Sequence, residues 1–358
     1  MEYIFDDILE IKNGRNQKAV ENPEGKYPIY GSGGIMGYAD DYICEPNTVI
    51  VGRKGSINNP IFVEEHFWNV DTAFGLQAKR EKLNPRYLYY FCKKFDFEKL
   101  NKAVTIPSLT KTDLLNIKIN LPDLDEQQSV VDKLLSIESI ISNRKKEIEK
   151  LDSLIKARFV EMFGDINVND KRWDCQPLGK LCTIVRGGSP RPIENFLGGD
   201  VPWIKIGDAT DGESIYLNST KEHIIQEGVK KSRLVKAGSL IFANCGVSLG
   251  FARIITFDGC IHDGWLAMED IDERLDKVFL LQALNQMTEH FRAIAPAGTQ
   301  PNLNTAIMKA YKQIIPPMEL QKEYISFCKQ VDKSKVAVQK ALNEAQLLFD
   351  SLMQEYFG

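Results

Sequence analysis

An internal repeat constrains this chain more than any other feature of its sequence. Between Asp123 and Gly164, apolar residues recur at steps of three and four, which is the seam of a coiled-coil helix. The same seam returns at an offset of 194 residues. The first copy contains Val130, Leu134, Ile137, Ile141, Ile148, Leu151, Ile155 and Met162. The second copy contains Tyr324, Cys328, Val331, Val338, Leu342, Ala345, Phe349, Leu352 and Tyr356.

Residues outside the seam keep the same register. The matched pairs are Pro107 and Pro301, Leu109 and Leu303, Pro122 and Pro316, Gln127 and Gln321, Leu154 and Leu348, Glu161 and Glu355, and Phe163-Gly164 and Phe357-Gly358. Because these residues keep step without a gap, an internal duplication explains the pattern better than two unrelated amphipathic helices do. The predicted unit is a globular domain followed by a long helix, used twice.

The predicted fold class is α+β, with two globular mixed α/β domains separated by two long antiparallel coiled-coil helices. Short strands, Gly-rich turns and an aromatic helix follow one another in the same order in both globular segments. The predicted boundaries are 1–122 for the first domain, 123–164 for the first helix, 165–317 for the second domain and 318–358 for the second helix. Since the two ends of a domain usually lie close together, the helices are expected to run antiparallel about a pseudo-two-fold axis.

Composition narrows the class of protein. No stretch approaches 18 apolar residues, so no membrane span is expected, and MEYIFDDILE lacks the order of a signal peptide. The seven cysteines are scattered without a C-x-x-C pair, which predicts free thiols and a cytoplasmic location. The net charge is −4, whereas a protein that binds DNA alone is usually basic. The chain therefore either does not bind DNA or carries its positive charge locally, with partners adding to it.

The sequence contains no recognisable catalytic constellation. It lacks an adenine-methylation box and the G-x-x-x-x-G-K-[ST] phosphate loop, and its four histidines lack metal-ligand spacing. The glycines between Gly31 and Gly37 are expected to form a turn between strands rather than a dinucleotide site. A non-catalytic role is therefore predicted.

Several motifs together resemble the specificity subunit of type I restriction–modification systems. In the first half they are YPIYGSGGIMGY, VIVGRKGS, FWNVDTAF and IPSLTKTDLLNIKINLPDLDEQ. In the second half they are PLGKL, RGGSPRP, PWIKIGD, PPMELQ and LFDSLMQEYFG. The resemblance covers essentially the whole chain, and the motifs are specific only in combination.

The resemblance implies that each globule is a target-recognition domain reading one half of a bipartite, asymmetric site in double-stranded DNA. It also implies that the paired helices set the spacing and dock two methyltransferase subunits, to which restriction and translocase subunits are added. No cofactor is expected in this chain, because S-adenosylmethionine, ATP and Mg would be bound by the partner subunits. The alternative function is a spacer or adaptor that binds no DNA and holds two protein partners.

Candidate DNA-binding residues lie on predicted turns. Arg53, Lys54 and Ser56 occupy a Gly-containing turn between two strands, and Arg186, Ser189 and Arg191 flank a Gly-Gly turn. Glycine lets the backbone approach phosphate, and an arginine side chain forks to guanine O6 and N7. Both turns are equally compatible with simple solvation. Asn244 and Ser248 are expected where the first domain has Arg53 and Ser56, so the two domains would read different bases.

Other polar residues have two readings each. Lys111, Gln300 and Asn302 lie before the last strand of each domain, where the amide side chains read adenine edges or cap the helix that follows. Asp71 and Asp263 either accept from cytosine or hold a turn. The cations of the long helices form a solvated face or touch phosphates across the DNA spacer. These cations are Arg144, Lys145, Lys146, Lys150, Lys156, Arg158, Lys329, Lys333, Lys335 and Lys340.

Overall fold

The computed structural model describes residues 1–101, 107–209, 215–246, 248–296 and 302–358. The chain divides into two compact units. Unit 1 consists of Met1–Lys146 and Gln339–Gly358, and unit 2 consists of Glu147–Val338. Each unit therefore takes one globular domain together with a part of both long helices.

The first domain contains three sheets. Its elements are β1 (Glu2–Ile4), α1 (Phe5–Ile8), β2 (Leu9–Asn13), β3 (Tyr27–Gly31), β4 (Gly34–Ala39), β5 (Thr48–Gly52), β6 (Ile61–Val63), β7 (Trp68–Asn69), β8 (Ala73–Ala78), α2 (Pro85–Lys94), a 3₁₀ turn (Phe97–Leu100), α3 (Lys111–Leu115) and β9 (Lys118–Asn120). The sheets have the strand orders β2-β8-β5-β6, β4-β3-β7 and β1-β9. The first long helix, α4, spans Leu124–Phe163.

The second domain is built from the same kinds of element. They are β10 (Asp174–Pro177), α5 (Leu178–Leu181), β11 (Thr183–Arg186), a 3₁₀ turn (Ile193–Asn195), β12 (Leu197–Ile204), a 3₁₀ turn (Ile206–Asp208), β13 (Tyr216–Leu217), β14 (Glu222–Ile224), α6 (Gln226–Val229), β15 (Arg233–Val235), β16 (Leu240–Ala243), β17 (Ala252–Ile255), β18 (Gly259–Ile261), β19 (Trp265–Glu269), α7 (Lys277–Gln286), α8 (Thr288–Ile294), α9 (Thr305–Ala310) and β20 (Lys312–Ile315). The second long helix, α10, spans Met318–Phe357.

The predicted α+β duplication is confirmed by the strand pairings. The sheet β2-β8-β5-β6 has its counterpart in β11-β19-β16-β17, which continues to β13 in the second domain. The closing ribbon β1-β9 corresponds to β10-β20, and both ribbons are antiparallel. The parallel pairs also match, since β3 pairs with β7 as β12 pairs with β18. Both domains thus use one scaffold.

The two long helices run antiparallel, as predicted, and their contacts within unit 2 show the direction. Arg158 pairs with Glu323 at 2.9 Å, and Asp152 pairs with Lys335 further along, so one helix ascends as the other descends. The predicted seam residues of both helices are buried or half-buried. In unit 1 the seam residues Leu134 and Phe349 belong to the same core as the first domain.

The helices bury a wider face than the predicted seam. Phe159 and Phe163 lie outside the seam and are fully buried. Their rings contact the ring of Phe279 on α7, with centroids 5.9 and 4.9 Å apart. A coiled-coil pattern predicts only the contact with the partner helix. These two residues are buried because the end of α4 also packs on the second domain.

A buried glutamine joins each domain to the start of a long helix. The Oε1 of Gln127 accepts from the backbone N–H of Asn84 at 2.8 Å, and its Nε2 donates to the carbonyls of Lys82 and Pro122, both at 3.0 Å. Gln321 repeats these three bonds, with the N–H of Asp276 and the carbonyls of Arg274 and Pro316. Both side chains are completely buried. Gln127 and Gln321, which match in the sequence repeat, thus form equivalent joints in the two domains.

All seven cysteines are free thiols. In the described part of the chain, no helix combines the length and the apolarity that crossing a membrane requires.

Replacing the joint in unit 1 tests its contribution to stability. We expect Gln127→Leu to lower the free energy of unfolding by about 2–4 kcal/mol, because each buried polar group left without a partner costs roughly 1–3 kcal/mol. The exposed Gln346 in the part of α10 that belongs to unit 1 provides the control, since its amide bonds Asp350 one turn along the same helix, and Gln346→Leu should change stability by no more than about 0.5 kcal/mol. Urea unfolding with amide hydrogen exchange at the start of α2 measures both variants. Equal effects of the two substitutions would contradict this role of Gln127.

Candidate nucleic-acid interface

In the first domain, the loop joining β7 to β8 holds two basic turns in place. Arg15 donates its backbone N–H to the carbonyl of Asn69 at 2.8 Å. Arg53 and Lys54 donate theirs to the carbonyl of Thr72, at 2.8 and 3.3 Å. Since the backbone makes these bonds, the side chains of Arg15, Arg53 and Lys54 remain exposed, and we call these three the first turn surface.

The cations of the first turn surface are available to an anionic ligand. Within the ranges that the structure describes, none of the three forms an ion pair. The guanidinium of Arg53 lies 5.7 Å from the centroid of the Phe74 ring, which supports its stem while leaving its donors exposed. The predicted residue Ser56 is exposed on the same turn. The surface thus presents several donors and a local positive charge on an acidic chain.

A glycine sets the position of the first turn. A Cβ on Gly14 would lie 1.7 Å from the carbonyl oxygen of Val70, so only glycine lets this turn approach the loop. Gly187 meets the same restriction in the second domain, where a Cβ would lie 2.1 Å from the carbonyl oxygen of His262. The turn after β2 and the turn after β11 are therefore equivalent.

Arg15 is absent from the residues predicted from the sequence. It follows Gly14 as Gly188 follows Gly187, and both donate a backbone N–H to the equivalent loop. The offset between Gly14 and Gly187 is 173 residues, not the 194 found in the helices, because the second domain is longer. An offset of 194 residues therefore does not identify Arg15 as an equivalent position. A strand followed by a glycine and then by polar and basic residues was the signal that could have identified it.

In the second domain, all three residues predicted on the Gly-Gly turn meet at Asp263. The hydroxyl of Ser189 donates to its carboxylate at 2.8 Å, and Arg191 donates to the other carboxylate oxygen at 3.3 Å. Arg186 donates its Nε–H to the backbone carbonyl of Asp263 at 3.0 Å. Asp263, for which the sequence left two roles open, holds the turn in this structure.

His262 completes this cluster as a neutral imidazole. Its Nδ1 accepts from the N–H of Gly264 at 2.8 Å, and its Nε2 lies 2.9 Å from the carboxylate of Asp263. These bonds fix the tautomer that carries its proton on Nε2. Burial lowers the pKa of His262, and the nearby cations Lys205 and Arg191 lower it further against the attraction of Asp263. We call Arg186, Ser189, Arg191, His262 and Asp263 the second turn surface.

Asp263 is ionised at neutral pH. Burial raises the pKa of its carboxyl, but the hydrogen bond from Ser189, the contact with His262, and the hydrogen bond and charge of Arg191 together outweigh burial, and the net shift is downward. The charged groups of this surface are two arginines and one carboxylate, so the surface keeps a positive excess. The side chain of Arg191 is 79% exposed, so its remaining donors are free for a ligand.

Asn244 lies at the predicted place but in a different environment. Leu303 donates its N–H to the carbonyl of Asn244, as Leu109 donates to Arg53 in the first domain, so the two positions are equivalent. Asn244 is completely buried, and its Nδ2 donates to the side chain of Asn302 and to the carbonyl of Leu303, both at 3.1 Å. The expectation of an exposed side chain is therefore wrong for Asn244, because its short amide side chain turns inward to this pair of bonds.

The helices α3 and α9 are capped by residues other than those proposed. Thr110 and Asn304 accept the capping hydrogen bonds. Lys111 is instead the first residue of α3, and its ammonium donates to the carbonyl of Ile11 at 3.0 Å. Asn302 bonds to Asn244 rather than to a helix end. The capping alternative is therefore wrong for Asn302.

Of the two remaining predicted residues, the structure describes only Ser248, which lies apart from the turn surfaces. Ser248 is half-buried and lines a cavity with Ile155 of α4 and Asp332 of α10. Gln300 lies outside the described residues. The described residues also contain no group of three potential metal ligands.

At least three of the helix cations form ion pairs in the described residues, and one of them, Lys340, lies 3.8 Å from Glu344 on its own helix. Arg158 contacts Glu161 and Glu323, both at 2.9 Å, and Lys335 pairs with Asp152. Pairing lowers the charge that these two side chains could offer to phosphate. The solvated face predicted for the helix charges therefore does not describe Lys335, whose side chain is only 18% exposed in its pair with Asp152.

Comparisons with known proteins agree on one family. A sequence model of the type I restriction modification DNA specificity domain matches residues 2–152 and 170–346. A putative type I restriction enzyme specificity subunit of Haemophilus influenzae is 24% identical, over 90% of this chain and 85% of its own. The putative MjaX specificity subunit of Methanocaldococcus jannaschii is also 24% identical, over 94% of this chain and 89% of its own.

Solved structures show the same fold. The crystal structure of a type I restriction–modification S subunit from M. genitalium aligns with a TM-score of 0.61 and 19% identity, covering 100% of this chain and 96% of that chain. A chain from a study of complex assembly and conformational transition of the type I system aligns with a TM-score of 0.65 and 17% identity, covering 100% and 97%. At these identities the likeness concerns the fold alone.

The neutral state of His262 predicts a pH dependence. A histidine whose pKa is lowered on folding stabilises the folded state above its unfolded value of about 6.5, and that contribution is lost as the pH falls through the folded pKa. We expect the unfolding free energy of the second domain to fall as the pH drops below about 6.5, the pKa of an unfolded histidine, and to fall less in His262→Gln. NMR titration of the imidazole gives the pKa directly. A value above that of a free histidine would contradict the assignment.

Proposed function

The chain belongs to the family of type I restriction–modification specificity subunits, and we propose that it reads a bipartite, asymmetric site in double-stranded DNA with one half-site per domain. One observation carries the proposal: equivalent turns of the two domains present different side chains. The first domain has Arg15 and Arg53 where the second has Gly188 and the buried Asn244. Two different half-site sequences require this kind of difference on a common scaffold.

The two turn surfaces have the chemistry that DNA recognition uses. Exposed arginines such as Arg53 and Arg191 contact phosphate or fork to guanine, and Ser189 and Asp263 add a hydroxyl and a hydrogen-bond acceptor. Both surfaces are locally positive although the net charge of the chain is −4. Of the residues predicted from the sequence, Arg53, Lys54, Ser56, Arg186, Ser189 and Arg191 are the ones for which we retain a DNA-binding role.

We also propose that this chain performs no chemistry itself. Two methyltransferase subunits would dock on it and methylate adenine with S-adenosylmethionine, and restriction and translocase subunits would use ATP and Mg. One of the structural relatives was solved in work on the assembly of a type I complex, which concerns that protein alone. Family membership supports the same partners here, and these would supply the additional positive charge that a chain of net charge −4 needs on DNA.

Co-expression with methyltransferase subunits tests the function. We expect a stable complex that methylates one asymmetric two-part sequence, read by single-molecule methylome sequencing of the host. The acidic net charge favours one rival, an adaptor that spaces two protein partners without touching DNA. A complex that forms but leaves DNA unprotected in footprinting, and unmethylated, would favour the adaptor.

Recognition should be separable between the domains. We expect Arg53→Ala to weaken discrimination at one half-site only, by about 1–3 kcal/mol if the guanidinium contacts a base edge. Arg191→Ala is the matched variant in the second domain and should affect only the other half-site. Methylation of a library of mutated sites measures both effects. A uniform loss over all sequences would instead identify phosphate contacts.

The spacer between the half-sites should depend on the long helices. Four residues inserted after Lys150 lengthen one helix by about 6 Å, which corresponds to roughly two base pairs. Since Asp152 pairs with Lys335, a matching insertion after Val336 restores the pairing of the helices. We expect the doubly inserted variant to methylate a site with a longer spacer and unchanged half-sites. Altered bases within a half-site would contradict a spacing role.

A further inference from the structure

Two large apolar side chains are exposed at the tip of the β3–β4 hairpin. Ile35 is 54% exposed and Met36 is 63% exposed. The register of the hairpin shifts between the pairs Ile29–Gly37 and Tyr30–Ile35, which makes Met36 the extra residue of a β-bulge. Consecutive residues of a regular strand face opposite sides, whereas a bulge re-aims its side chains. Both apolar side chains therefore reach solvent.

The hairpin adjoins the first turn surface. Val70, in the loop that holds that surface, donates its N–H to the carbonyl of Tyr30 at 3.0 Å. A Cβ on Gly52, the residue before Arg53, would lie 3.1 Å from the Cβ of Ser32 in the hairpin turn. The apolar tip and the three cations therefore belong to one face of the first domain.

We propose that Ile35 and Met36 enter the major groove of the half-site bound by the first domain and pack against the C5-methyl group of a thymine. That methyl group is the apolar feature by which the major groove distinguishes thymine from the other bases. The neighbouring cations Arg15 and Lys54 would bind the phosphates on either side of the contact, and Arg53 would remain available for a base edge. The inference rests on the proposed function, and it adds a specificity contact to it.

Charge and shape favour DNA over a protein as the occupant. The exposed apolar side chains of this hairpin are Ile35, Met36 and, further from the turn, Tyr38, and three cations lie beside them, whereas protein-docking patches have an apolar centre from which charge is depleted. The tip is also narrow. A Cβ on Gly33 would meet no atom within 4 Å, so the packing of the hairpin does not demand glycine there. A bare backbone at that point suits insertion into a groove.

Among the residues that the structure describes, the second domain has no equivalent tip. Its β12 pairs with β18 in parallel, as β3 pairs with β7, so the end of β12 corresponds to the end of β3. Lys205 follows β12, and Ile206 then begins a 3₁₀ turn, where the first domain continues into its hairpin. The apolar contact is therefore assigned to one half-site only.

Thymine-to-uracil substitution tests the contact in the complex of this chain with its methyltransferase subunits. We expect uracil at one position of the first half-site to weaken binding about fourfold, the value for losing one methyl group from an apolar contact. The double variant Ile35→Ser, Met36→Ser should bind thymine DNA about fourfold more weakly than the wild type does. Its affinity should not fall further when uracil replaces thymine. Val168→Ser, a truncation at a position that is 70% exposed in the turn after α4, should behave like wild type.

Each other outcome overturns the inference. A wild-type complex that is indifferent to uracil throughout the first half-site excludes the contact without any variant, so a folding defect cannot obscure the result. A double variant that relaxes a G·C position, or that no longer retains the methyltransferase, would assign the tip another role. In those cases the site is still methylated by wild type and the proposed function stands. A complex without any sequence preference would remove both.

Discussion

The buried amides of Gln127 and Gln321 are the interactions on which the rest of each unit depends. Each side chain donates to the carbonyl of a proline just before a long helix. It also accepts from the backbone N–H of the residue that precedes a helix of the domain, α2 or α7. Neither group has access to water, so the loss of one partner would leave a donor or acceptor unsatisfied at a cost of roughly 1–3 kcal/mol. Hydrogen bonds therefore fix the direction in which the long helix leaves the domain. Apolar packing alone would specify that direction less strictly.

Aromatic packing completes the same joint. Tyr87 on α2 contacts the ring of Phe357 at the end of α10, with centroids 4.8 Å apart. Phe279 on α7 contacts Phe163 at the end of α4 in the equivalent way, at 4.9 Å. Each domain thus holds the beginning of one long helix and the end of the other. This arrangement follows from the antiparallel direction of the helices, and it explains why the rings near both helix ends are buried on the side facing the domain.

The sequence predicted the elements that periodicity and repetition control. The long helices, their seam and the duplicated α+β domains all leave a pattern at fixed spacing, and the structure confirms them. Phe159 and Phe163 were not predicted as buried because their contacts lie in a domain distant in sequence. Arg15 was not predicted because the offset between the two copies changes inside the domain. Asn244 does occupy the position equivalent to Arg53, but its side chain is buried, whereas an exposed side chain was predicted. Burial of a short polar side chain depends on partners such as Asn302, which no local pattern reveals.

The turn surfaces show how a common scaffold allows two different recognition chemistries. The bonds that position the turns come from the backbone, through Gly14 and Arg53 in one domain and through Gly187 and Asn244 in the other. Backbone bonds place almost no demand on side-chain identity, except where a Cβ would collide, as at Gly14 and Gly187.

Exposed positions are thus free to vary while the scaffold stays fixed. In the described part of the first domain this freedom leaves three cations outside any ion pair, and in the second domain it allows a hydrogen-bonded cluster around Asp263 that keeps a positive excess. A duplicated chain can therefore acquire asymmetric recognition through side chains alone, without a change in the joints that hold its domains to the helices.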